Sequence, residues 1–322
     1  MINEGSANQT VSSARIPVFD NIKFFLIVLV IYAHLSNIHC EVPSSLYKII
    51  YSFHMPLFVF VSGYFTKKND EMSKFWKINY NFLLLFFIFS IIAACVNVGI
   101  YHKPPFKSVF VPHFALWYLL CMVYWRITVR FISNEFIQSR WFVLITFAIS
   151  ILPSLVYLNY FSIARFFCFF PYFLLGYLCN KYSFLLRLDN LSTTKKITVV
   201  ACGILSCLVA VKIPSGIYWG HEPLTYPVVK IIAFKFIAWS VALINFATIY
   251  IIMPKTKGVK EGRYTLFYYL FHTVLLFPVF DIVAKHIPNN IYTTVAILIC
   301  IVAILYLLRR VKILTKLINI GK

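Results

Sequence analysis

The stretch Ile291-Tyr292-Thr293-Thr294-Val295-Ala296-Ile297-Leu298-Ile299-Cys300-Ile301-Val302-Ala303-Ile304-Leu305-Tyr306-Leu307-Leu308, closed by Arg309-Arg310, decides the fold class. It carries no charge before the two arginines. A hydrocarbon layer of about 30 Å needs roughly 20 apolar residues at a rise of 1.5 Å each. Such a run reads as a membrane-spanning helix with a basic stop at one interface. Nine further apolar segments have comparable character: 19–38, 47–66, 79–101, 111–130, 141–161, 163–180, 196–212, 230–253 and 263–282, with this run lying in 289–309. The third, fifth and tenth are the clearest. The sixth and seventh have short cores that lean on flanking lysines to reach the interface.

Composition agrees. Apolar residues make up 61% of the 322 and charged residues 12%, and mean hydropathy is +0.82. A soluble domain is nearer half apolar and a quarter charged, so lipid is the expected solvent. The predicted architecture is an all-α integral membrane bundle of about ten helices in one domain. A polar tail, 1–15, precedes a transmembrane domain, 16–310, and a basic tail, 311–322, follows it. The first tail lacks an apolar stretch with a small-residue cleavage site, so no signal peptide is expected. No repeat is visible. Ile213–Pro227, with three Pro, two Gly and Trp219, reads as a loop at the membrane surface.

The net charge of +20 is a topology signal. If the N-terminus, the even-numbered loops and the C-terminus share one side, that side holds 21 Lys and Arg. The other side holds 8, and Lys23 inside the first span completes the 30. This bias predicts that both termini are cytoplasmic. Membrane lipids account for the basic surface, and no nucleic-acid partner is expected. The eight Cys form no CxxC pair, so neither a disulfide framework nor a metal site is expected.

Ionisable groups inside apolar spans are expensive and point to function. The first span carries Asp20, Lys23 and His34, the second His54, the eighth Lys230 and Lys235, and the ninth His272. Asp20 and Lys23 share a helix face near the cytoplasmic end. His34 lies 14 residues beyond Asp20, about 21 Å along an unbroken helix. His34 and His54 are expected at similar depth on adjacent helices.

The run Asp20-Asn21-Ile22-Lys23, followed by Tyr32-Ala33-His34 and by Ser52-Phe53-His54-Met55-Pro56-Leu57-Phe58-Val59-Phe60-Val61-Ser62-Gly63-Tyr64, resembles the integral-membrane acyltransferase family 3. It looks most like the branch related to fucose 4-O-acetylase. Weaker matches are His113-Phe114-Ala115-Leu116-Trp117-Tyr118-Leu119-Leu120, the segment Phe170–Tyr177, and Gly262–His272. The likeness spans about 16–310, and Lys23 stands where many relatives carry Arg. It implies transfer of an acyl group, usually acetyl from cytosolic acetyl-CoA as co-substrate, to a cell-surface or lipid-linked glycan at the inner membrane. Transfer to an alcohol needs a base and a donor for the carbonyl oxyanion. His34 is the expected base and His54 a second base or orienting group. Asp20 is grouped with them as a catalytic residue; it and Lys23, at the cytoplasmic mouth, position the donor or set local charge. The phosphates of CoA fall to Lys23, Lys67, Lys68, Lys74 and Lys77. Trp117, Tyr118 and Trp219 offer flat faces to sugars. A polysaccharide exporter, flippase or polymerase is the alternative reading. Oligomeric state, acceptor sugar and acyl chain are not legible.

Overall fold

The computed structural model describes residues 16–102, 111–112, 115–158 and 160–318. The polar tail 1–15, Lys103, Lys107, the His113-Phe114 start of one motif, and the last four residues of the basic tail lie outside the described residues. Among the described residues, 79% are helical and no strand occurs. Ten helices occupy the ten apolar segments: α1 (Pro17–His34), α2 (Ser44–Tyr64), α3 (Met72–Gly99), α4 (Trp117–Phe131), α5 (Arg140–Ile149), α6 (Ile163–Lys181), α7 (Thr193–Lys212), α8 (Val228–Ile252), α9 (Thr265–Ala284, with a π turn at His272–Leu276) and α10 (Ile291–Leu308).

Eight of these are long and apolar enough to cross a membrane; α4 and α5 are not among them. The apolar run 141–161 was expected to be one span. Its helix instead stops at Ile149, and a 3₁₀ turn at Leu152–Ser154 follows. Pro153 explains the stop, since it cannot donate to the helix and blocks the preceding turn. Left-handed backbone at Phe161 and Ser162 then redirects the chain into α6. The α4 helix has 15 residues, about 22 Å, and carries Arg126 and Arg130.

Helix starts follow local chemistry. Pro17 opens α1, where a missing N–H costs nothing. Asn290 caps α10 by accepting from the Thr293 N–H at 3.0 Å, while the Thr293 hydroxyl accepts from the Asn290 N–H at 3.2 Å. Pro278 cannot donate to Val274, and the helix accommodates its ring by widening into the π turn beginning at His272.

Four helices, α1, α2, α6 and α9, are mainly buried, whereas α3, α7 and α10 turn most of their surface outward. Exposed Ile204, Leu205 and Leu208 on α7, Phe87 and Ile91 on α3, and Ile299 and Leu307 on α10 suit hydrocarbon. At the centre, α2 crosses α6 backbone to backbone. A Cβ on Gly63 would lie 1.9 Å from the Phe173 carbonyl oxygen, and one on Gly176 would lie 2.0 Å from that of Phe60. Small residues permit this approach, so dispersion replaces the hydrophobic drive that lipid cannot supply.

The even-numbered loops gather at one end. The Asn21 amide donates to the carbonyls of Pro254 and Lys257 at 2.8 and 2.9 Å and accepts from the Val259 N–H at 2.7 Å. Arg309 pairs with Glu261 at 2.7 Å, and Lys255 pairs with Asp189. Arg130 donates to the Lys68 carbonyl, and Asn180 donates to that of Tyr64 at 2.6 Å. At the opposite end, Leu224 N–H donates to Ser154 and Lys48 to Val211, at 2.9 and 3.1 Å. The basic loops thus share one face of the bundle.

Candidate active site

His34 ends α1, where the helix tightens into a 3₁₀ turn and Asn37 donates to the His34 carbonyl at 3.0 Å. Its Nδ1 lies 3.2 Å from Nε2 of His272, and the rings are nearly parallel, at 11°. Both are buried. His272 Nδ1 is 2.7 Å from the Tyr268 carbonyl, which can only accept. For the uncharged pair this fixes both tautomers: His272 carries its proton on Nδ1, and its Nε2 accepts from His34 Nδ1–H. The basic lone pair of His34 is then on Nε2. A backbone carbonyl orients one imidazole, which orients the next.

His54 comes from α2. Its Nδ1 donates to the Ile50 carbonyl at 2.8 Å, leaving Nε2 as the acceptor. That atom is fully buried and has no hydrogen-bond partner. His34 and His54 line one cavity of about 100 Å³ with Tyr51, Trp117, Arg165 and Trp219. Lys235, buried at 2% exposure, donates to the Cys168 sulfur at 3.3 Å and the Ile217 carbonyl at 3.2 Å. It thereby pins the short helix Ser215–Trp219 over this end, where Trp219 donates to the Tyr47 hydroxyl at 3.0 Å.

A second cavity of about 440 Å³ runs toward the basic end, lined by Lys23, Ser62, Thr66, Tyr118 and Arg126. Met55 and Tyr269 line both cavities and form the partition between them. Arg126 is only 7% exposed, and its Nε donates to Asn79 at 3.2 Å. Its Nη2 is buried without a partner.

A family model described as an acyltransferase domain matches residues 16–310. The chain belongs to this membrane acyltransferase family. No curated protein and no solved structure matches the acyltransferase significantly, so no homologue supports the fucose 4-O-acetylase branch.

The acyltransferase brings His34 and His54 together as expected from adjacent helices, and adds His272 to them. It does not bring Asp20 to them, because α1 is continuous; Asp20 pairs with Lys23 at 3.1 Å near the basic end. Lys23 lines the larger cavity. Lys67, Lys68, Lys74 and Lys77 do not line it: Lys68 donates to the Ile132 carbonyl and Lys74 pairs with Asp70 at 3.2 Å. In the sequence Arg126 and Arg165 fall among the orientation charges of the two sides. The rule that flagged the histidines also covers both arginines, since each lies within an apolar segment.

Proposed function

We propose that the protein is an O-acyltransferase that moves acetyl from cytosolic acetyl-CoA to a hydroxyl of a cell-surface or lipid-linked glycan. The reading places it in the inner membrane with both termini cytoplasmic. The observation that carries it is His34, oriented from behind by His272 and lining a cavity that adjoins a larger one leading to the basic end. The donor's phosphates stay at that end near Lys23 and the unsatisfied Arg126, which spares them transfer into hydrocarbon. Asp20 positions Lys23, and Lys67, Lys68, Lys74 and Lys77 attract the donor at longer range. From Lys23 to His34 the α1 axis runs about 16 Å, a length suited to an extended pantetheine arm.

In the reaction, His34 Nε2 takes the proton of the acceptor hydroxyl as its oxygen attacks the thioester carbon. The carbon–sulfur bond breaks, and the CoA thiolate leaves and recovers a proton. Throughout, His34 Nδ1–H donates to His272, so the ring keeps its aim while its charge changes. The unpartnered His54 Nε2 accepts a hydrogen bond from the acceptor and orients it. Family membership favours transfer over export or polymerisation. His34→Ala is expected to lower acetyl transfer by about 10²-fold or more with normal insertion and abundance. Retention of most activity refutes this role.

A further inference from the structure

Arg165 is a cation in the histidine cavity that the proton transfer leaves unused. Its guanidinium sits 5.2 Å from the centroid of Trp117, and its Nη2 lies 3.3 Å from Nδ1 of His221, which also faces the Trp219 carbonyl at 3.2 Å. Burial, with Arg165 beside it, pushes His221 down to about 4, so that ring is neutral at pH 7 and supplies no counter-charge. The other His221 nitrogen faces Glu222 at 3.4 Å. Among the described residues no carboxylate lies within ion-pair distance of Arg165 itself. Guanidinium offers five N–H donors in a planar fork. Among the described residues, its one hydrogen-bond neighbour is His221 Nδ1, which it shares with the Trp219 carbonyl.

Arg165 is half-buried, and a cation partly drawn from water without a counter-charge is costly. A fork with donors to spare fits a two-oxygen anion. The position of Arg165 decides which substrate brings that anion. It is the third residue of α6, at the end covered by the Ser215–Trp219 helix, whereas Lys23 and Arg126 mark the donor's end. Trp117 and Trp219 flank it in the cavity wall. A cavity of about 100 Å³ takes the reacting atoms, and the sugar ring sits at its mouth. We propose that the acceptor is anionic: a carboxylate or phosphate next to the acylated hydroxyl is held by Arg165. The inference rests on the acyl-transfer reading and adds the acceptor's chemical class to it.

The test uses the purified full-length protein, radiolabelled acetyl-CoA, and glycans and lipid-linked sugars extracted from cells lacking the gene. Labelled product is fractionated by anion exchange. Label is expected on the column, released by carboxyl reduction if the anion is a uronate and by mild acid if it is a lipid-linked diphosphate. Arg165→Gln is expected to raise acceptor KM roughly 10-fold or more, as for losing one partner of a partly buried, charge-assisted pair. Arg165→Lys, which keeps the charge but not the fork, falls between. Acetyl-CoA binding, read as a rise in Tm, stays at the wild-type value in both because the donor's anion seat is remote. Label in neutral glycans overturns the inference. So does a loss in kcat at unchanged acceptor KM, which assigns the guanidinium to the carbonyl oxyanion. Absence of label in every fraction refutes acyl transfer itself, and the anionic acceptor with it.

Discussion

His272→Phe removes the acceptor of His34 Nδ1–H while keeping an aromatic ring in the packed space between α1 and α9. In the wild-type protein that bond is 3.2 Å and both partners are buried, so water cannot replace it. A buried donor left unmade costs about 1–3 kcal/mol. At 1.4 kcal/mol per decade, the penalty on the oriented tautomer corresponds to roughly 5- to 150-fold in rate. The loss is expected in kcat with acetyl-CoA KM unchanged, because Lys23 and Arg126 line the other cavity. The assay is CoA thiol release by purified protein with extracted glycan acceptor. A cycle with His34→Ala sharpens it. Since His272 acts through His34, the double variant is expected to be no slower than His34→Ala alone. Additive losses, or full activity in His272→Phe, refute the orienting role.

Arg126→Gln is expected to raise acetyl-CoA KM by roughly 10- to 100-fold with little change in kcat, as for a lost charge-assisted hydrogen bond; steady-state kinetics check it. Gly63→Ala places a Cβ against the Phe173 carbonyl and is expected to destabilise the bundle by ~1–3 kcal/mol; an unchanged Tm in detergent refutes the close α2–α6 crossing. In a Cys-free background, Pro223→Cys is expected to react with an impermeant thiol reagent in intact cells and Lys257→Cys is not. The opposite pattern inverts the topology.

Much of the scaffold was legible because lipid imposes a length and a charge rule on each span. The basic loops that charge counting put on one side do meet at one end of the bundle, through Asn21, Glu261 and Asn180. The segment 141–161 misled because apolar composition does not report backbone breaks, and Pro153 breaks it. His34 and His54 were recognisable as buried ionisable groups on neighbouring helices. The tie between His34 and His272 was not, since 238 residues separate them and α1 meets α9 through packing that no periodicity encodes. Arg165 was hidden by its place near the start of an apolar run, where a flanking charge is ordinary.

A cytosolic donor is expected to reach His34 through the bundle and acylate a glycan on the far side. Membrane vesicles of defined orientation, loaded with acceptor glycan and given external radiolabelled acetyl-CoA, test it most directly. Inside-out vesicles carrying the wild-type protein are expected to label the lumenal glycan, and those carrying His34→Ala are expected to fall to background. Labelling only in right-side-out vesicles, or equal labelling by His34→Ala, contradicts the account.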